Sequence, residues 1–550
     1  MPQRLRDSQM TEITPHELRY SVDRLIARGR RVFGWGWAAH SAQAIEAITL
    51  SVKGNGWEAQ LSVNHGLARD DVKEVFPDLV NGGSSGFVVT GYLPHVPALD
   101  FSMELKLSDG STACIDVTQA MEAHSARHRR IREVRWLAQA VLRRARQGDF
   151  RGIIRRAKSQ NYRAPSLDSL KIVASLLPRL KTGRVLSLVF DHNMGGGANL
   201  YRRTLVDERV ASGRIVLLCT YNLPTLDYRL HLFAPGEEEQ IFRISSFVVL
   251  ECILDEVYVD ELFLNSPVSF DEPLVFAEWL ATMRTLHPKT KLTVATHDYF
   301  SVCPSFVLLN AQGRYCGIPK ISECAACLKQ HRASYLALSP RTEIGAWRAV
   351  WGRCLSAADE VRCFSESTRR LLLRAYPSIE VDRISLVPHR VDYIPARLPK
   401  PDHSSPLIVG VIGHISVQKG ALVVKEMVRE IERRRQDIRV VVIGTLDVPA
   451  DSAQLVVTGS YQRDDLASLV EEHRINMFFF PSICPETFSY VVEEMMRLGL
   501  PIVAFDLGAP GERLRHYAAS RLCEDVSAHG ALAALVEYHA QLMATQTASV

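Results

Sequence analysis

The sequence has no apolar stretch approaching the eighteen or so residues that a membrane span requires. Its opening residues, "MPQRLRDSQMTEITPHEL", lack the apolar core of a secretory leader. A cytoplasmic setting is therefore expected. No Asp-x-Asp pair occurs anywhere in the chain, so two carboxylates clamping a divalent cation onto a phosphate are not expected. The cysteines number eleven, an odd count spread over 550 residues, which is not the pattern of a disulfide-framed secreted domain. An excess of one charge sign is also missing, since 65 Lys and Arg face 61 Asp and Glu. The exception is local. Between Arg127 and Arg163, twelve Arg and one Lys stand against Glu133 and Asp149, a net +11.

A chain of 550 residues is too long for one core, and 47% apolar with 23% charged residues is ordinary globular composition. Residues 1–120 read as a small all-β sandwich. Ile48, Leu50 and Val52 alternate, "KGNG" turns the chain, and Trp57, Ala59, Leu61 and Val63 alternate back. A second hairpin runs from Phe101, Met103, Leu105 and Leu107 through "SDGS" to Ala113, Ile115 and Val117. Trp35 and Trp37 share one face of a strand, either as core or as glycan-stacking rings. Residues 121–180 read as a basic helical linker. Ile131, Val134, Leu137, Val141 and Leu142 recur at helical spacing among the arginines, which suits an anionic membrane face or a packed linker helix.

From Arg184 onward, apolar runs alternate with helical patterns. "RVLSLVFD", "RIVLLCT", "EVYVDELF" and "KLTVATHD" have the continuous apolarity of parallel strands buried on both faces. After the proline-rich stretch ending in "PDHSSP" the pattern restarts with "LIVGVIGHI", "IRVVVIGTL", "INMFFFPS" and "LPIVAFD". This predicts two doubly wound α/β domains, 181–392 and 393–550, facing a cleft at their strand ends.

Each half opens on a strand, a glycine turn and a helix. In the first the turn holds Gly195, Gly196 and Gly197, which would let backbone N–H groups approach an anion. In the second it is "GHISVQKG", where Lys419 precedes Gly420 and could neutralise a diphosphate or simply be a surface lysine. Near the end, "CPETFSYVVEEMMRLGLPIVAFDLG" places Glu486 at the mouth of a helix and Glu494 two turns inside it.

That last stretch resembles the Glu-x7-Glu motif of retaining GT-B glycosyltransferases, the large family with bacterial polysaccharide-building members. The resemblance spans about Arg184 to Tyr538, with the triple-glycine loop, "ATHD", "LVPHRVD", "KG" and "FPSICPETFSYVVEEM" in the family's order. It implies an α/β GT-B fold and a nucleotide-diphosphate sugar as donor. Glu486 would approach the donor sugar, with the backbone near Phe488 and Ser489. Glu494 would hold the ribose hydroxyls, Lys419 the diphosphate and His297 the reacting sugar. A carboxylate suits a diol because it accepts two hydroxyls at once. His414 stands where many members have Arg, which leaves a phosphate donor with a pH-dependent charge.

The expected activity is metal-independent, retaining transfer to a glycan or lipid-linked acceptor in surface polysaccharide (lipopolysaccharide or exopolysaccharide) synthesis. Peripheral contact with the inner membrane face would run through 127–163, and nucleic acid is not an expected partner. Rival readings are an inverting transferase with Asp191 or His297 as base, a sugar-nucleotide epimerase or hydrolase, and a non-catalytic glycan-binding scaffold. No cofactor is expected for catalysis. Within an insertion at 303–327, however, Cys303, Cys316, Cys324 and Cys327 are spaced C-x12-C-x7-C-x2-C. A structural zinc would suit such a set, as would buried free thiols, a redox disulfide or an iron–sulfur cluster.

Overall fold

The computed structural model describes residues 17–67, 69–95, 98–122, 167–331, 338, 342–391, 393–394, 406–448, 450 and 452–547. The basic segment 127–163 lies outside the described residues. No helix among the described residues is long and apolar enough to cross a membrane.

The N-terminal unit contains β1 (Leu18–Arg28), β2 (Arg31–His40), β3 (Ile45–Gly54), β4 (Trp57–Leu67), β5 (Gly86–Tyr92), β6 (Ala98–Leu107), β7 (Thr112–Asp116) and β8 (Met121–Glu122). Both hairpins take the expected register, with Val52 opposite Ala59 and Leu105 opposite Ala113. The two layers, however, are one continuous sheet, ordered β7-β6-β3-β4-β5-β2-β1-β8. The hinge is β4, which pairs with β3 up to Ser62 and with β5 from Val63 onward. Folding the sheet on itself buries Leu25, Val32, Leu50, Phe87, Phe101 and Met103 in one core. An alternating strand is apolar on one face only, and that face must find a partner.

This β unit is fastened to the next domain. Ile26 and Phe33 belong to the larger core of the following α/β domain, and Trp35 packs against that core. Trp37 lies 5.7 Å from the Phe76 ring, so both tryptophans contact protein. Arg31 is 1% exposed and donates to the Ser269 carbonyl at 2.8 Å and to the Tyr92 hydroxyl at 3.0 Å. Its guanidinium also lies 5.1 Å from the Tyr221 ring. A buried arginine bonded across two units favours one fixed docking geometry.

The first α/β domain is built on β9 (Leu186–His192), β10 (Ile215–Asn222), β11 (Asp227–Phe233), β12 (Gln240–Ile244), β13 (Val259–Leu264), β14 (Lys291–Ala295), β15 (Glu360–Cys363) and β16 (Ile384–Leu386). The order is β12-β11-β10-β9-β13-β14-β15-β16. Strands from β10 to β16 in that order run parallel, while β11 and β12 extend the sheet antiparallel. The second is wholly parallel: β17 (Leu407–Ile415), β18 (Ile438–Leu446), β19 (Leu455–Val457), β20 (Met477–Phe480), β21 (Ile502–Phe505) and β22 (Ser520–Cys523). Its order, β19-β18-β17-β20-β21-β22, reverses between β17 and β20. Such reversals open a crevice at the carboxyl ends of the strands, and ligands of these folds bind there.

Candidate functional site

The turn after β17 carries the first cleft group. Val417–Lys419 forms a single 3-10 turn, and Gly420 (φ 88°) starts the helix Ala421–Arg434. A Cβ on Gly420 would lie 2.0 Å from the Pro481 carbonyl oxygen, so only glycine lets this turn sit against the loop after β20. The Ile483 N–H donates to the Gln418 carbonyl at 3.3 Å, a second tie between the same loops. Lys419 and Glu486 consequently share a neighbourhood. Both act on the Cys484 thiol, which burial pushes up to about 12, with Glu486 adding and Lys419 opposing. Lys419 is exposed and has no acidic partner among the described residues.

Glu486 heads the next stretch. Its carbonyl accepts from the Ala509 N–H at 2.9 Å, so the loop after β21 buttresses it. Its Oε1 is buried and has no hydrogen-bond partner among the described residues. An unpaired buried carboxylate oxygen is costly, and such groups persist where a ligand completes them. Three residues on, Ser489 has φ 83° and ψ 103°, outside the usual range of L-residues, and caps the helix Tyr490–Leu498 by accepting from the Val492 N–H at 3.4 Å. That helix aims its free N–H groups at the same cleft.

Glu494 lies inside the helix at 4% exposure. Burial raises its pKa, against the opposing effects of the Tyr393 hydroxyl and Arg463. Its Oε1 accepts the Tyr393 hydroxyl, and Arg463 stacks 5.0 Å above the Tyr393 ring. His414 is 65% exposed, with Nδ1 2.6 Å from the Thr445 hydroxyl and Nε2 3.3 Å from Asp447. Its two ring nitrogens are thus engaged by neighbouring strand ends.

From the opposite domain, β9 delivers the glycine loop. Gly195 and Gly196 both have φ 83°, and the helix Gly196–Ala211 follows. Asn199 secures the turn, accepting from the Gly195 N–H at 2.7 Å and donating to Asp191 at 2.7 Å. Asp191 is fully buried, and Arg202 pairs with the same carboxylate oxygen at 3.1 Å. Through Oδ2 Asp191 anchors the loop from beneath, while its Oδ1 is buried with no hydrogen-bond partner among the described residues. Gly197 backs onto the second domain, since a Cβ there would meet the Tyr490 ring at 3.0 Å.

His297 follows β14. Its ring stacks on Phe364 at 4.3 Å, and its Nε2 is enclosed without a hydrogen-bond partner among the described residues. Desolvation, then His389, His192 and Arg362, hold its pKa well below the usual histidine value. It is a neutral imidazole at physiological pH.

The two domains meet around these residues. Phe488 is 3% exposed, within a cluster otherwise made chiefly of first-domain residues such as Val189, Phe263 and Phe364. The Thr487 hydroxyl donates to the His297 carbonyl at 2.8 Å. Glu512 accepts from the backbone N–H groups of Glu366 and Ser367, at 3.1 and 2.5 Å, at the start of the helix Glu366–Ala375. Sequence reasoning passed over Thr487, Glu512, His389 and Tyr490. Only the quoted "LVPHRVD" pointed toward His389.

The four insertion cysteines come together. Burial pushes the Cys303 thiol up to about 12, with Cys316 and Cys324 adding, and likewise raises Cys316 and Cys327. Backbone N–H groups of Ser305, Ile318 and Ala311 oppose those shifts at Cys303, Cys316 and Cys327 respectively. All four are free thiols. As the side chains lie, no three His, Cys, Asp or Glu among the described residues are placed to hold one metal ion.

Residues 406–541 match the family model described as "Glycosyl transferases group 1". No curated protein matches the sequence. Among solved structures, a sucrose-phosphate synthase from Thermosynechococcus elongatus shares 15% identity over 65% of this chain and 90% of that one, with a TM-score of 0.42. The Anabaena protein HepE, in complex with UDP and glucose, shares 14% identity over 66% of this chain and 100% of its own, at a TM-score of 0.36. The catalytic domain of starch synthase IV from Arabidopsis thaliana, bound to ADP and acarbose, shares 12% over 66% and 92%, at 0.39.

Proposed function

We propose that this chain is a group 1 glycosyltransferase that moves a sugar, with retention of configuration, from a nucleotide-diphosphate donor to a glycan or lipid-linked acceptor of a surface polysaccharide. The observation that carries the reading is Glu486, whose buried Oε1 lacks a partner among the described residues and lies near a helix N-terminus and a lysine that has no acidic partner among them.

In this reading the diphosphate lies between Lys419 and the N–H groups opening the helix Tyr490–Leu498. The acceptor oxygen attacks the anomeric carbon on the face from which the diphosphate leaves. The carbon–phosphate-oxygen bond breaks, a carbon–oxygen bond to the acceptor forms, and the acceptor's proton passes to the departing phosphate. Negative charge grows on the leaving group, where Lys419 and the helix end stabilise it. Positive charge grows on the sugar ring, where Glu486 stabilises it. Glu494 accepts the ribose hydroxyls, which requires it to exchange its Tyr393 contact for the diol. No metal is assigned to the reaction.

A cytoplasmic location, with 127–163 resting on anionic lipid, belongs to the same proposal. So does a structural zinc on Cys303, Cys316, Cys324 and Cys327, which would require those thiols to reorganise around the ion.

A panel of nucleotide sugars, with the anomeric configuration of the product read by NMR, tests the reaction. Glu486→Gln keeps the shape and removes the charge, and a rate loss of about a hundredfold is expected. Wild-type turnover by that variant, or an inverted product, would overturn the mechanism.

A further inference from the structure

Two histidines stand in the cleft, and the geometry separates their roles. His297 has its Nε2 enclosed. His389, in the loop after β16, is half-buried and makes one side-chain hydrogen bond among the described residues: its Nδ1 lies 3.1 Å from the Tyr490 hydroxyl. The His389 ring is held between Phe364, stacked at 4.2 Å, and Phe488, edge-on at 4.6 Å. Tyr490 is located with equal care, since Gly197 backs its ring and its centroid lies 4.9 Å from that of His389.

The pair spans the cleft. His389 belongs to the first α/β domain and Tyr490 opens a helix of the second, so their bond exists only when the two are closed. Burial, then the nearby Arg513, lowers the His389 pKa to about 3, which keeps the ring neutral. In a neutral imidazole one nitrogen donates and the other accepts. With the phenol as donor into Nδ1, the ring proton sits on Nε2, which has no hydrogen-bond partner among the described residues.

We propose that Tyr490 is a positioning residue that fixes His389 as an Nε2–H donor on domain closure, and that His389 gives this hydrogen bond to an oxygen of the sugar being transferred. The assignment to a sugar rests on the transfer reading above, whereas the tautomer does not.

The test uses the full-length chain labelled with 15N-histidine, with His389→Gln identifying the resonances. In the wild type, His389 should carry its proton on Nε2, and Tyr490→Phe should show a mixture of tautomers. With the donor found in the panel, Tyr490→Phe should lower kcat about tenfold, as expected for one lost hydrogen bond, while donor KM and melting temperature hold. His389→Gln, which keeps an amide N–H near the Nε2 position, should retain most of the activity that His389→Ala loses. An Nδ1–H tautomer in the wild type, or unchanged kcat in Tyr490→Phe, overturns the proposal. Absence of transfer with every donor overturns the proposed function instead, and the tautomer measurement still decides the contact.

Discussion

The Thr487 hydroxyl donates to the backbone carbonyl of His297 at 2.8 Å, joining the loop that bears Glu486 to the loop that bears the cleft histidine. The tie is reciprocal, because the Thr368 hydroxyl donates to the Thr487 carbonyl at 3.3 Å. Glu512 adds a third link by capping the helix that contains Thr368. A carboxylate accepting two N–H groups at a helix N-terminus gains from both hydrogen bonding and the helix dipole. The placement of Glu486 is thus a property of the closed pair of domains.

Thr487→Val removes the hydroxyl at constant shape. One such bond contributes about 1 kcal/mol net, so stability should hardly change in a chain of this size. Its effect on catalysis should be larger in proportion, because misplacing Glu486 lowers the rate directly. We expect kcat to fall about tenfold with the melting temperature nearly unchanged. Steady-state kinetics beside a thermal melt decide it, and an unaltered kcat would remove the latch from the account.

Burial raises the pKa of Glu494 above its ordinary 4.5. The charged carboxylate is the form that accepts a diol, so donor affinity should be full at pH values above the raised pKa. It should be lost as pH falls through it. Calorimetric donor titrations across pH should therefore show an acid limb centred above 4.5. Glu494→Gln should bind weakly and without that limb. A limb that persists in the variant would assign the titration to another group.

Ser489 holds a positive φ without being glycine. Such backbone strain costs on the order of 1–3 kcal/mol, whereas exchanging a serine cap for glycine costs only a few tenths. The strain is the larger quantity. Ser489→Gly should therefore stabilise the second α/β domain by about 1 kcal/mol, read from denaturant midpoints. A destabilised variant would mean that the cap outweighs the strain.

The second α/β domain was legible because its strands are buried on both faces, so "LIVGVIGHI" and "IRVVVIGTL" can only be interior parallel strands. The Glu486 and Glu494 spacing was legible because both lie in one short stretch, Glu486 in the loop before the helix Tyr490–Leu498 and Glu494 inside it. The antiparallel pair β11 and β12 was not, since "DYRLHLF" alternates like a separate β element and only pairing with β10 joins it to the sheet. The folding of the N-terminal sheet through β4 was also hidden, because strand patterning reports faces and not the strand at which layers merge. Least legible were the contacts between domains. His389 and Tyr490 are 101 residues apart, and no local pattern encodes a bond that depends on closure.

The insertion cysteines supply the last prediction. Cys316 and Cys324 add to the raised pKa of Cys303, and Cys324 adds to those of Cys316 and Cys327, while Cys303, Cys316 and Cys327 face backbone N–H groups, a setting that favours thiolates. The Ala311 N–H, for example, points at Cys327 Sγ from 3.3 Å. Against this, Arg348 and the Pro319 carbonyl engage Cys324 at 3.6 and 3.7 Å, all four are free thiols, and burial favours the protonated form of Cys303, Cys316 and Cys327. Zinc binding would release those protons and draw the sulfurs to about 2.3 Å from the ion. It would also stiffen the segment after His297, because Trp347 of the neighbouring helix donates to the Phe300 carbonyl at 2.7 Å. Elemental analysis of protein purified without chelator should find about one zinc per chain, absent from Cys324→Ser. The variant should melt earlier and lose transfer activity through disorder beside His297, and added zinc should not restore it. A metal-free wild type that is folded and fully active would instead establish the four residues as a buried cluster of reduced thiols.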